Sequence, residues 1–124
     1  MIVGVGVDIE SIERFRRMPS HILNRVAKRI LTKAEEKFYL TQRDPYTFIA
    51  GRFSSKEALL KALSPIYRLS LFEILRSVEI VGTPPRIKLS PGLEKRVREM
   101  GIKRIHLSIS HTRDYVISIV IIES

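Results

Sequence analysis

Three stretches of this sequence gather residue types that suit phosphate chemistry. The first is "GVGVDIE", residues 4–10, where Asp8 ends an apolar run broken by two glycines, with Glu10 two residues on. A carboxylate there can hold a hard cation such as magnesium, which takes oxygen ligands and keeps several waters. It could equally cap the turn that follows. The second is "RFSSKEALLKAL", residues 52–63, which sets Arg52, Lys56, Glu57 and Lys61 on a helical pattern. Adjacent helical residues point about 100° apart, so Lys56 and Glu57 face different neighbours, while Glu57 and Lys61 share a face. As a pair, Glu57 and Lys61 pass for an ordinary surface ion pair. Lys56 does not, because it falls inside the stripe formed by Ile49, Phe53, Leu60 and Leu63. An ammonium on such a stripe must snorkel, pair or meet an anion. A metal-bound phosphate would engage all three residues, the carboxylate on the cation and the lysines on phosphate oxygens.

The third stretch is "HLSISHT", residues 106–112. In a strand His106, Ser108 and Ser110 share one face, and His111 and Thr112 lie where the strand ends. A histidine there can contact phosphate or close a turn with Asp114. Ser110 and His111 are sequence neighbours and point to opposite faces, which argues against a hydrolase pair.

The elements that position these residues can be read along the chain. "MIVGVGVDI" reads as a strand whose glycines leave one face bare for close approach. A short helix follows from Ser11, and a second runs through "SHILNRVAKRIL" with Ser20 as its cap. Thr32 and Glu35 have the spacing of a capping box. The central helix starts with Asp44 as N-cap and Pro45 at the first helical position, and it ends at Ser64-Pro65. After an irregular piece, "SVEIV" and "RIKLS" form a hairpin around "GTPP", Ser90-Pro91 opens a helix that stops at Gly101, and "RIHLSIS" and "YVISIVII" are two further strands. The order predicts a single α+β domain over 1–124, with helices packed on a mostly antiparallel sheet.

Composition limits the function. The chain has 124 residues, 44% hydrophobic, and no cysteine, which excludes disulfides, thiolate metal sites and cysteine nucleophiles. Its longest apolar run is too short to span a bilayer as a helix, and the N-terminus lacks a signal-peptide pattern, so the expected location is cytoplasmic. The net charge is +9, and residues 11–43 hold nine Lys/Arg against three acids. An acidic partner is the natural inference, whether nucleic acid, anionic membrane or acidic protein.

Taken together, "GVGVDIE", "RILTKAE", "AGRFSSKEALLKAL", "HLSISHT" and the "VIIES" ending resemble the holo-acyl-carrier-protein synthases, small 4'-phosphopantetheinyl transferases. The resemblance spans nearly the whole chain and implies the fold of that family. It implies magnesium-dependent transfer of phosphopantetheine from coenzyme A to a serine of an acidic apo acyl carrier protein, with release of 3',5'-ADP, in fatty acid biosynthesis. By position, Asp8 and Glu57 would hold the metal. Glu57 and Lys61 would be catalytic, and Arg52, Lys56, Lys61, His111 and Thr112 would lie around the coenzyme. Arg14, Met18, Arg25 and Arg29 would dock the carrier. Glu57, Lys61, a metal-bound water, and Glu35 or Glu36 through a water stay open as acceptors of the serine proton. Related synthases are homotrimers with sites at subunit boundaries, and the resemblance implies neither nucleic acid nor membrane as partner. Two departures stand out. The usual Gly-Thr-Gly loop after the Lys-Glu-Ala helix is replaced by "ALSPIYRLSLFEILRS", and Glu10 stands where many relatives lack a carboxylate. The rival expectation is a basic nucleic-acid-binding module using the Arg-rich helices.

Overall fold

The charged helix of the sequence is the centre of the molecule. In a computed structural model, which describes residues 1–124, it runs from Pro45 to Leu63 as α4, capped where the sequence indicates. Asp44 accepts from the Thr47 amide at 3.1 Å, an N-cap worth about 1 kcal/mol. Before it come β1 (Ile2–Ser11), α1 (Ile12–Arg16), α2 (Ser20–Ile30) and α3 (Lys33–Tyr39). After it come α5 (Leu71–Ser77), β2 (Val78–Val81), β3 (Arg86–Leu89), α6 (Pro91–Glu99), β4 (Arg104–His111) and β5 (Tyr115–Glu123). Strands β1, β5 and β4 form a three-stranded sheet in that order, and β2 and β3 form the expected hairpin. Every pairing is antiparallel. The α+β architecture is therefore as the sequence indicated.

Two local expectations need correction. Ser20 does not cap α2; the helix begins at Ser20 itself, and the N-cap, Pro19, has no side chain able to accept a hydrogen bond. The piece after α4 is not irregular throughout, since Leu71–Ser77 is helical with Ser70 accepting from the Glu73 amide at 3.1 Å. Seven residues give too few turns for a periodic pattern to stand out. The Thr32–Glu35 capping box is present with both of its hydrogen bonds.

α4 is buried on more sides than its hydrophobic stripe suggests. Ile49, Leu59 and Leu63 are fully buried, each stabilising by about 1.5–3 kcal/mol relative to exposure. The side toward β1 is lined by small residues instead: Ser54, Ala58 and Ala62 are all fully buried. A Cβ at Gly4 would overlap the carbonyl oxygen of Ala62, and one at Gly6 would overlap that of Ala58. Asp8 continues the same strand face, and its carbonyl accepts from Ser54 Oγ at 3.0 Å. Strand positions 4, 6 and 8 thus meet helix positions 62, 58 and 54. Two strand residues advance about 6.6 Å and four helical residues about 6 Å, so the two ladders stay in step. That register delivers Asp8 to the flank of α4 that carries Glu57 and Lys61.

Two apolar clusters share α4. One gathers Ile12, Phe15, Leu23, Ile30 and Leu31 against its N-terminal half, and the other gathers Ile74, Val78, Leu93, Val120 and Ile122 against its C-terminal half. The opposite face of the main sheet is bare: Val5, Val7 and Ile9 lie beside Ile121, Ile119 and Ile117, and all but Ile121 are exposed. No helix is long and apolar enough to cross a membrane.

Gly6→Ala should therefore push β1 off α4 and destabilise the fold by about 1–3 kcal/mol, the usual scale of overpacking. Gly92→Ala, where an added Cβ meets nothing within 4 Å in α6, should be neutral or stabilising by up to about 1 kcal/mol. Urea denaturation of both variants checks the contrast.

Candidate active site

Asp8 is buried in the crease between β1 and α4. Its Oδ1 accepts from Lys61 Nζ at 3.1 Å, and the same ammonium donates to the Val7 carbonyl at 3.0 Å. Its Oδ2 is buried and has no hydrogen-bond partner. Glu57 lies close enough that, after the effect of its own burial, the charge of Asp8 pushes its carboxyl above the ordinary range, with Lys61 opposing. Glu10 follows Asp8 by two residues and so shares its strand face. Burial pushes Glu10 up to about 8, helped by the neighbouring carboxyl of Asp8 and by Glu57, against the pull of Arg14 at 3.6 Å. An acidic cluster of Asp8, Glu10 and Glu57 with Lys61 at its edge is thus short of positive charge, as a site for a hard cation should be. No three side chains close into a preformed metal cage. Magnesium in phosphate sites commonly uses one or two carboxylates and leaves the remaining positions to water and phosphate, so this donor set fits it.

Lys56 is placed elsewhere, and the expectation that it meets a coenzyme phosphate is corrected. It is fully buried on the far side of α4 from the cluster's edge, and its ammonium donates to Glu35 Oε1 at 2.6 Å, the Ile30 carbonyl at 2.8 Å and the Leu75 carbonyl at 3.4 Å. All three N–H groups are committed within the protein. Burial pulls its pKa below the ordinary lysine value, with Glu35 opposing. Glu35 is excluded as a proton acceptor for the same reason. Its Oε1 also accepts from the Thr32 amide at 3.0 Å, and its Oε2 accepts from the Ile80 amide at 2.9 Å. Glu36 lines a small hollow between α2 and α3 with Asn24 and Tyr39.

Arg52, His111 and Thr112 do not join the acidic cluster within one chain. Arg52 lies about 140° around α4 from Glu57; its guanidinium stacks on the Phe48 ring at 4.1 Å, and its Nε is buried without a partner. His111 and Thr112 line a polar hollow with Arg16, Asp44, Thr47 and Arg113. Thr47 precedes Glu57 by ten helical residues, about 15 Å along the axis. Thr112 Oγ1 accepts the Asp114 and Tyr115 amides and so shapes the β4–β5 turn. Of the basic residues considered for docking, Arg14, Arg25 and Arg29 are exposed, while Met18 is half-buried against the first apolar cluster. Arg25 and Arg29, four apart on α2, share its outer face.

Alternation along β1 alone puts Glu10 on the strand face of Asp8. Sequence reasoning did not find Arg76, whose guanidinium gathers carbonyls at the end of α2. An arginine in an unrecognised short helix offered no signal.

The chain is similar over nearly its whole length to known proteins. The model of the 4'-phosphopantetheinyl transferase superfamily matches residues 4–120. A holo-[acyl-carrier-protein] synthase from Shewanella halifaxensis is 36% identical over 131 aligned positions, covering 100% of both chains, and one from Maridesulfovibrio salexigens is 32% identical over 124, covering 99% of each. Among solved structures, the holo-[acyl-carrier-protein] synthase of Neisseria meningitidis superposes with a TM-score of 0.87 at 33% identity and full coverage of both chains. That of Bacillus anthracis, in complex with CoA (3',5'-ADP), gives 0.78 at 28% identity over 100% of this chain and 98% of that one. With the family model spanning nearly its whole length, this chain belongs to the 4'-phosphopantetheinyl transferase superfamily.

Proposed function

We propose that this protein is a magnesium-dependent holo-[acyl-carrier-protein] synthase, moving phosphopantetheine from coenzyme A to a serine of an acidic carrier protein. The observation that carries the reading is the acidic cluster of Asp8, Glu10 and Glu57, with its unpartnered Asp8 Oδ2, on the β1–α4 crease. Relatives of the same length are named for that activity, and one solved relative holds coenzyme A derivatives. In the reaction, the serine oxygen attacks the phosphorus that bears the pantetheine. The bond from that phosphorus to the bridging oxygen breaks, 3',5'-ADP departs, and the serine proton passes to a base.

Asp8 and Glu57, with Glu10 beside them, are the residues that would hold magnesium. Bound there, the ion would neutralise pyrophosphate charge and polarise a phosphoryl oxygen. Lys61 keeps one N–H outside its two internal hydrogen bonds and is half-exposed, so it can meet phosphate oxygens as a point charge. Glu57, half-buried at the open edge of the crease, would take the serine proton through a water. Little covalent work falls to the protein, since positioning and charge stabilisation carry most of phosphoryl transfer.

Arg52, His111 and Thr112 are assigned to the coenzyme through a second copy of the chain, because one copy keeps them away from Glu57. The bare apolar sheet face of Val5, Val7, Ile9, Ile117 and Ile119 is the surface on which copies would pack, and a homotrimer is the proposed assembly. Arg14, Met18, Arg25 and Arg29 form the carrier-docking face, whose charge speeds encounter and sets orientation. The nucleic-acid reading gains nothing from the comparisons and gives the acidic cluster no purpose, because carboxylates repel a phosphate backbone.

Incubation with coenzyme A, magnesium and apo carrier should leave the carrier heavier by one phosphopantetheine in a mass spectrum. Asp8→Asn and Glu57→Gln should each cut the rate at least about 100-fold, the scale of losing one electrostatic stabiliser of a transition state. An unchanged carrier mass, or full turnover in either variant, overturns the reading. Arg25→Glu should raise KM for the carrier and weaken its salt dependence while coenzyme binding persists.

The acidic cluster also predicts a pH signature. Glu10 titrates near its ordinary 4.5 when unfolded and near 8 when folded, so its contribution is full below about pH 4.5 and is lost as pH rises through about 8. In chelator, the melting temperature should fall across that window, and Glu10→Gln should flatten the fall. Magnesium should raise the melting temperature more at about pH 8 than at about pH 5, since fewer protons then compete for the site. An equal shift at both pH values would count against metal binding here.

A further inference from the structure

Every carbonyl that the end of α2 leaves open is taken by a cation from another element. The Ala27 carbonyl still accepts from the Leu31 amide, within the helix. Beyond it, Arg76 of α5 donates to the carbonyls of Lys28, Arg29 and Leu31 at 2.9, 2.6 and 3.2 Å. Lys56 of α4 takes the remaining one, Ile30, at 2.8 Å. Helix C-termini carry unsatisfied carbonyls and partial negative charge, so both contacts are favourable. They differ in what they join. Arg76 ties α2 to α5. Lys56 ties α2 to the turn of α4 that carries Glu57, and through Glu35 it also holds α3 and the Ile80 amide of β2.

Stability alone gives a weak account of this lysine. Removing two charges from water is costly, and well-packed apolar residues often replace a buried ion pair at no loss. An apolar residue, however, offers nothing to the end of α2. We propose that Lys56 is a positioning residue: its ammonium locks the docking helix α2 to α4 and so fixes where a seated carrier presents its serine relative to Glu57. The proposal rests on the reading above that α2 seats the carrier. It gives the buried charge on α4 a task in the reaction without contact to either substrate.

The test uses the pair neutralised together, Lys56→Met with Glu35→Gln, so that no lone charge is left buried. The chain has no cysteine, so cysteines introduced at Lys28 and Ser64, both exposed, take spin labels that report the distance from α2 to the end of α4. The double variant should broaden or shift that distance distribution. At saturating carrier its kcat should fall at least about tenfold, since a misplacement near 1 Å can cost a rate 100-fold, while the coenzyme A Kd stays within about twofold. Val97→Ala, in the other apolar cluster, lowers stability without touching α2 and should keep kcat. If the double variant does not fold, Lys56→Gln with Glu35→Gln, whose amides can bond each other, is measured in the same way. An unchanged distance distribution, or a kcat equal to that of Val97→Ala, would overturn the proposal. Failure of the docking reading shows separately, as an Arg25→Glu variant whose carrier KM does not move.

Discussion

The structure depends on the direct contact of a strand backbone with a helix backbone. Gly4 and Gly6 of β1 present no side chain toward α4, and the helix answers with Ser54, Ala58 and Ala62. Because two strand residues and four helical residues cover nearly the same length, the contact repeats instead of drifting out of step. A larger residue at any of these positions would separate the elements and widen the crease. The same spacing sets the chemistry, since Asp8 is the next residue on that strand face and the first with a side chain. It enters the crease beside Glu57 and Lys61, two of the charged residues on α4. Packing and site are therefore one feature, and the small residues matter for function although none of them can react.

α4 carries charge in two directions for two reasons. Toward β1's end, Lys61 meets Asp8 at a half-open edge where carboxylates crowd and hold protons unusually well. Away from it, Lys56 is sealed among carbonyls and Glu35 with every N–H committed. Neighbouring residues in the sequence thus serve opposite ends of the dielectric range. Glu57 stays near solvent, and Lys56 is paired inside the protein.

Much of this was legible in the sequence where the signal is local. Asp44-Pro45 and Ser64-Pro65 bracket α4, Thr32 and Glu35 form their capping box, and the hairpin and final strands lie where alternation and turn residues put them. The position of Asp8 and Glu57 as a pair came from motif resemblance, and the fold supplies its cause in the glycine track. Lys56 was misassigned for a physical reason. Helical periodicity says that an ammonium on a buried stripe needs an anion, but not which one. Its partner, Glu35, was recognised as a capping residue 21 positions away, and nothing local links the two. The hydrophobic stripe likewise missed the sheet-facing side of α4, because that side is built from Gly, Ser and Ala. Arg52, His111 and Thr112 belong to the same motifs yet lie apart from the acidic cluster in one chain, because helical rotation turns Arg52 away from Glu57 and the β4–β5 turn ends beside the start of α4.

The central claim is that β1 packed on α4 brings two acids, distant in sequence, onto one divalent ion. Crystals grown with manganese in place of magnesium, together with coenzyme A, test it through the anomalous signal of the metal. A single strong peak between the carboxylates of Asp8 and Glu57, against the pyrophosphate, is the predicted result. Manganese bound at other acids, with Asp8 still held only by Lys61, would contradict it.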